Sequence, residues 1–147
     1  MSESDAVWIG PILFLAAFCK THDPKWIIGI AVGFVLGLTN PLLKDWFVRN
    51  FPNVKAFKRP EGAINCDLDN SGGDQSGEPG FPSGHMTTVA FYFALLYFYA
   101  PGLALGGLAV LSIGWMAYAR RFCHTIPQRI AGTAFGIGAA YFTSMIM

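Results

Sequence analysis

Apolar and polar residues fall in long blocks along the chain, not with the short period of a surface strand or a soluble amphipathic helix. Residues 6–19, 26–43, 86–119 and 130–147 carry no Asp, Glu, Lys or Arg. The third block is broken near Ala100, Pro101 and Gly102, so it holds two helices. A bilayer core about 30 Å thick needs about 20 helical residues, which the two 18-residue blocks reach with tilt or flanking residues. The first block is shorter and contains Pro11; Trp8 at the interface and a snorkelling Lys20 would let it span. The pattern predicts five helices, at roughly 5–20, 25–48, 85–100, 103–120 and 128–146. The expected architecture is all-α: a polytopic, multi-pass transmembrane bundle forming one domain over 1–147, with a polar loop at 44–82 between the second and third helices.

Composition agrees with that pattern. Charged residues make up 13% of the chain, half the roughly 25% of a soluble domain, and hydrophobic residues 53%. Eleven of the nineteen charges lie between Lys44 and Glu78. A net charge of +1 supplies no basic field for nucleic acid. The acidic start Met-Ser-Glu-Ser-Asp lacks the basic n-region of a signal peptide, so the first block is expected to remain in the mature chain. Cys19, Cys66 and Cys123 have no metal-site spacing, and nothing in the sequence brings Cys66 to Cys123 as a disulfide. Small residues repeat every four positions at Gly29, Gly33 and Gly37, and again at Gly132, Gly136 and Ala140. Such stripes let helices approach closely and would also suit a second copy of the chain. Asn40-Pro41 predicts a kink late in the second helix.

Five crossings assign the helix ends to two faces by parity. Eight of the ten Lys and Arg share one face: Lys44, Arg49, Lys55, Lys58, Arg59, Arg120, Arg121 and Arg129. Retention of basic residues in the cytoplasm explains such a count by itself. It does not explain why His85 and His124 also fall there, each at the mouth of a helix. Around His85 the order is Pro82-Ser83-Gly84-His85. Ser83 is the expected N-cap, Gly84 allows close backbone approach, and the helix N-terminus suits a phosphate. Around His124 two arginines precede the histidine by three and four residues, and Gln128 follows by four, placed to orient the imidazole.

These segments resemble the type 2 phosphatidic acid phosphatase superfamily, whose signatures are Lys…Arg-Pro, Pro-Ser-Gly-His, and Ser-Arg followed by a histidine. Pro82-Ser83-Gly84-His85 matches in full, and His124-Thr125-Ile126-Pro127-Gln128 resembles the branch acting on polyprenyl diphosphates, with a catalytic core over about 26–147. Arg59-Pro60 is present, but the six-residue spacing would put its lysine at Pro52; Lys44 or Lys55 serves instead. Ala119-Arg120 replaces Ser-Arg, so Arg120 or Arg121 carries that phosphate contact. Five helices stand where the family has six.

The resemblance implies hydrolysis of a lipid phosphomonoester or polyprenyl diphosphate, with membrane lipids around the protein and no cofactor or metal. His124 would be the nucleophile, Gln128 its orienting partner and His85 the general acid and base. Lys44 or Lys55, Arg59, Ser83, Gly84 and Arg120 or Arg121 would hold the phosphoryl oxygens. The carboxylates Glu61, Asp67, Asp69, Asp74 and Glu78 read as a solvated loop, not a metal site. Two other functions stay open: a membrane scaffold that keeps the fold without turnover, and a phosphotransferase using an alcohol in place of water.

Overall fold

The computed structural model describes residues 5–66 and 72–147. Regular structure among them is helical: α1 Ile9–Thr21, α2 Lys25–Asn50, α3 Gly84–Tyr99, α4 Leu103–Ala119 and α5 Ile126–Met145, with 3-10 turns at Asp5–Trp8 and Lys55–Phe57. The last four helices start and stop within two residues of the positions expected from the apolar blocks. α1 opens with a 3-10 turn and closes at His22, whose left-handed backbone lets its N–H reach Phe18 O at 2.7 Å. Asp23 then caps the next helix, accepting from Lys25 N at 3.0 Å. Pro101 and Gly102 separate α3 from α4, because the residue before proline is pushed out of helical geometry.

Residues 44–50, expected to belong to the polar loop, are helical. α2 runs through Pro41 to Asn50, so Lys44 and Asp45 sit on a continuous helix. Among the described residues, α2 is also the helix long and apolar enough to cross a bilayer by itself, while α1 and α4 are apolar and shorter.

α3 is the central element, buried at Met86, Thr87 and 89–95, and packed by α1, α2, α4 and α5. The small-residue stripes explain how closely. A Cβ at Gly132 would lie 2.4 Å from Ser83 O, and one at Gly136 2.3 Å from Thr87 O, so α5 meets α3 backbone to backbone. On α2, Gly29 makes room for Phe14 and Gly33 for the Tyr92 ring. Gly29, Gly33, Gly132 and Gly136 are thus packed by the chain's own helices, while the Cβ position of Gly37 is open.

The described parts of the connection, 51–66 and 72–83, lie against each other as two arms. Arg59 N donates to Glu78 O at 2.8 Å, and Gln75 N to Ala63 O at 2.8 Å. Rings anchor it to the bundle: Phe57 lies 4.9 Å from Phe47 of α2 and 4.8 Å from Phe81.

Candidate active site

Four helix ends meet under this connection. Lys44 is in the last two turns of α2, His85 in the first turn of α3, Arg120 just after α4, and His124 two residues before α5. Lys44, Arg59, Arg120 and His124 are all close enough to His85 to act on it electrostatically. The same three cations act on His124.

His124 is buried and held by Gln128. The histidine does not share the helix of Gln128, as its four-residue offset suggested. Instead Gln128, in the first turn of α5, reaches back to it, with Oε1 3.1 Å from His124 Nδ1 and accepting from Thr125 N at 3.2 Å. The other end of the amide donates to two loop carbonyls, Ala56 O at 2.8 Å and Lys58 O at 2.7 Å. Only an amide nitrogen can serve both carbonyls, so the oxygen must face the imidazole. His124 therefore carries its proton on Nδ1 and leaves Nε2 as a bare lone pair. Gly80 permits this arrangement, since a Cβ there would lie 2.9 Å from both Gln128 Oε1 and the Arg59 side chain. Burial, and then the Lys44 charge, pull His124 down from 6.5 to about 3; the Gln128 hydrogen bond opposes them, and Arg59 and Arg120 add to the lowering. The imidazole is neutral at physiological pH, the form a nucleophile needs.

Ser83 occupies the N-cap position of α3 but makes no side-chain cap bond, which corrects the expected role. Its Oγ is buried without a hydrogen-bond partner, and so is His85 Nε2. Leaving each such group unpaired costs about 1–3 kcal/mol, a cost that oxygens of a bound anion would relieve. Gly84 has a reason beyond access to a ligand: a Cβ there would come 2.8 Å from Asn40 Oδ1 on α2.

The structure separates the cations the sequence left as alternatives. Lys44 and Arg59 line the same cavity as His85, a space of about 710 Å³. Lys55 lies in another cavity, with Lys58, Thr125 and Pro127. Arg120 is 1% exposed and donates to Asn65 O at 3.1 Å. Arg121 turns outward, stacked 3.8 Å over the Tyr118 ring and donating to Tyr118 O at 2.8 Å. Arg59 is steadied by a hydrogen bond to Gln75 Oε1.

The His85 cavity is lined by Lys44, Arg59, Gly84 and His85, by the carboxylates Asp45, Asp74 and Glu78, and by the apolar Val7, Trp8, Pro11, Phe34 and Leu38. Among the loop carboxylates, Asp74 accepts from Ser76, Glu61 is exposed, and Asp67 and Asp69 lie outside the described residues. Among the described residues no three His, Cys, Asp or Glu side chains converge as metal ligands do.

Sequence reasoning missed three features. Cys66 and Cys123 are free thiols buried side by side with Ala63, both donating to Ile64 O, at 3.3 and 3.1 Å. Burial and the neighbouring Cys66 push Cys123 up to about 12. The loop-anchoring role of Gln128 left no trace, because its carbonyl partners are backbone atoms some 70 residues away. Asn40 had a visible signal, a side-chain amide inside an apolar run, which was read only as part of a kink.

The PAP2 superfamily model matches residues 24–147. No curated protein and no solved structure matches the chain.

Proposed function

This chain belongs to the PAP2 superfamily and is a phosphoric ester hydrolase; on that premise we propose that it is a multi-pass membrane enzyme that cleaves lipid phosphates or diphosphates through a phosphohistidine. The observation that carries the proposal is the orientation of His124. Its Nε2 lone pair is presented by an amide whose own direction is set by two loop carbonyls.

In the first half, His124 Nε2 attacks phosphorus, an N–P bond forms and the P–O bond to the lipid breaks. His85 gives its proton to the departing oxygen. In the second half, His85 takes a proton from water, the water oxygen attacks phosphorus and the N–P bond breaks. Lys44, Arg59, Arg120, the Ser83 hydroxyl and the free N–H groups at the start of α3 stabilise the charge that grows on the phosphoryl oxygens. Gln128 orients the imidazole but adds no negative charge opposite the imidazolium that forms.

Two observations support a lipid substrate in a membrane. One cavity is lined both by the cations Lys44 and Arg59 with His85 and by apolar side chains, as a phosphorylated hydrocarbon requires. Large apolar side chains also face outward on several helices: Phe34, Leu38 and Leu42 on α2, Val110 and Leu111 on α4, and Ile130 and Phe142 on α5. A face of that kind belongs in hydrocarbon rather than water.

The test is phosphate release from dioctanoyl phosphatidate, a polyprenyl phosphate and a polyprenyl diphosphate by the purified protein in detergent. His124→Ala should abolish release from whichever lipid is hydrolysed. His85→Asn should slow turnover while a ³²P-labelled phosphoenzyme remains trappable. Full activity in His124→Ala would sink the assignment.

A further inference from the structure

Asn40 lies one helical turn before Lys44 on α2 and follows Phe34 and Leu38 along the helix, all four lining the same cavity. It is 7% exposed, lines the cavity, and its amide makes no hydrogen bond to any described residue. Its Oδ1 edge packs on the start of α3, 2.8 Å from where a Gly84 Cβ would be, and its Nδ2 lies farther away, at 3.8 Å. A nearly buried amide with no partner is unfavourable wherever it occurs, and most of all in a helix with no charged residue from Trp26 to Leu43.

Asn40 therefore offers the cavity an amide one helical turn, about 6 Å along the axis, from Lys44. An oxygen on the carbon atoms next to the phosphate of a glycerol-type lipid falls within that reach of a phosphate held at Lys44. A plain hydrocarbon chain would leave the amide unpaired at the same place.

We propose that Asn40 is a specificity-determining residue: its amide reads an ester or hydroxyl oxygen on the carbons next to the substrate's phosphate. The inference rests on the lipid phosphatase reading above and narrows its substrate to oxygen-bearing lipid phosphates over purely hydrocarbon ones.

The test compares kcat/KM for dioctanoyl phosphatidate and decyl phosphate in the same detergent, for the wild type, Asn40→Leu and Asn40→Ser. Asn40→Leu should lower the phosphatidate-to-decyl-phosphate ratio about tenfold or more, chiefly through KM, and Asn40→Ser should restore part of it. A ratio that stays put, whether both substrates slow together or neither does, overturns the proposal and leaves Asn40 a packing residue against Gly84. Should Asn40→Leu not fold, the wild type decides: it must prefer phosphatidate by about tenfold, and equal use of both lipids overturns the proposal. Release of phosphate from no lipid would refute the phosphatase reading alone. Asn40 is then judged by thermal shifts in detergent. A larger upshift with dioctanoyl phosphatidate than with decyl phosphate, lost in Asn40→Leu or Asn40→Ser, supports it, and equal upshifts overturn it.

Discussion

Gln128→Glu separates two jobs that the glutamine performs at once. The substitution keeps an oxygen toward His124 and supplies the carboxylate that would stabilise an imidazolium. A view limited to the nucleophile therefore expects a faster enzyme. The structure predicts the reverse. Gln128 is fully buried, and its Nε2 donates to Ala56 O at 2.8 Å and Lys58 O at 2.7 Å. A glutamate oxygen at that position would face two carbonyl oxygens without a proton to share, and its charge would sit where no water reaches. Each buried acceptor stripped of its donor costs about 1–3 kcal/mol, so the pair costs roughly 2–6 kcal/mol. At about 2–4 °C per kcal/mol for a chain of this size, melting should fall by roughly 4–24 °C. The loop that carries Arg59 loses its tether to α5 at the same time, and a misplacement of about 1 Å can cost a hundredfold in rate. Melting in detergent and kcat with phosphatidate are the measurements, with Gln128→Met as the variant that removes all four hydrogen bonds. Wild-type melting together with equal or higher kcat in Gln128→Glu would refute the reasoning, because the amide nitrogen would then hold nothing that matters.

Three further outcomes follow from the site and its supports. Lys44→Ala and Arg120→Ala should each lower kcat/KM about a hundredfold, whereas Lys55→Ala and Arg121→Ala should stay within about threefold; initial rates on one lipid phosphate check all four. His124 is held near 3 in the fold against 6.5 when unfolded, so the unfolded chain binds the extra proton first. Stability should accordingly fall as pH drops from about 6.5 toward 3, and His124→Asn should flatten that part of a melting-versus-pH profile; an unchanged slope would contradict the buried neutral imidazole. Gly136→Val should cut kcat about tenfold to a hundredfold by forcing α5 off α3, while Gly138→Ala, with nothing within 4 Å of its Cβ position, should be silent in the same assay.

Much of the fold was legible because a helix in an apolar phase leaves a block with sharp ends. Proline and glycine at 101–102 and the charges after Leu43 mark those ends, though α2 runs to Asn50, two residues past its expected end and through the start of the expected loop. The site was legible where its residues are consecutive, at Pro82–His85 and His124–Gln128. It was not legible where partners come from the irregular connection. Lys44 and Lys55 have the same charge, and neither stands at the family's spacing from Arg59; only the folding of residues 51–59 around the Phe47, Phe57 and Phe81 rings puts Lys55 in another cavity. Arg120 and Arg121 are neighbours that leave the end of α4 in opposite directions, and the phase of that last turn depends on packing, not on composition. The Cys66–Cys123 neighbourhood depends on the same connection.

The glycine contact between α3 and α5 divides the enzyme into a part that cannot adapt and a part that can. His85 and His124 are mounted at the ends of two helices that meet closely at Gly132 and Gly136, against Ser83 O and Thr87 O of the main chain. The gap between the two histidines is thus a property of the backbone, and on the lipid phosphatase reading it would not change with the length of the substrate's tail. The apolar cavity wall belongs instead to α1, its preceding turn and α2, which meet α3 through side chains such as Phe14, Trp26 and Tyr92. If the substrate is a lipid phosphate as proposed, those helices can be resculpted for a longer, shorter or branched tail while the phosphorus chemistry keeps its dimensions.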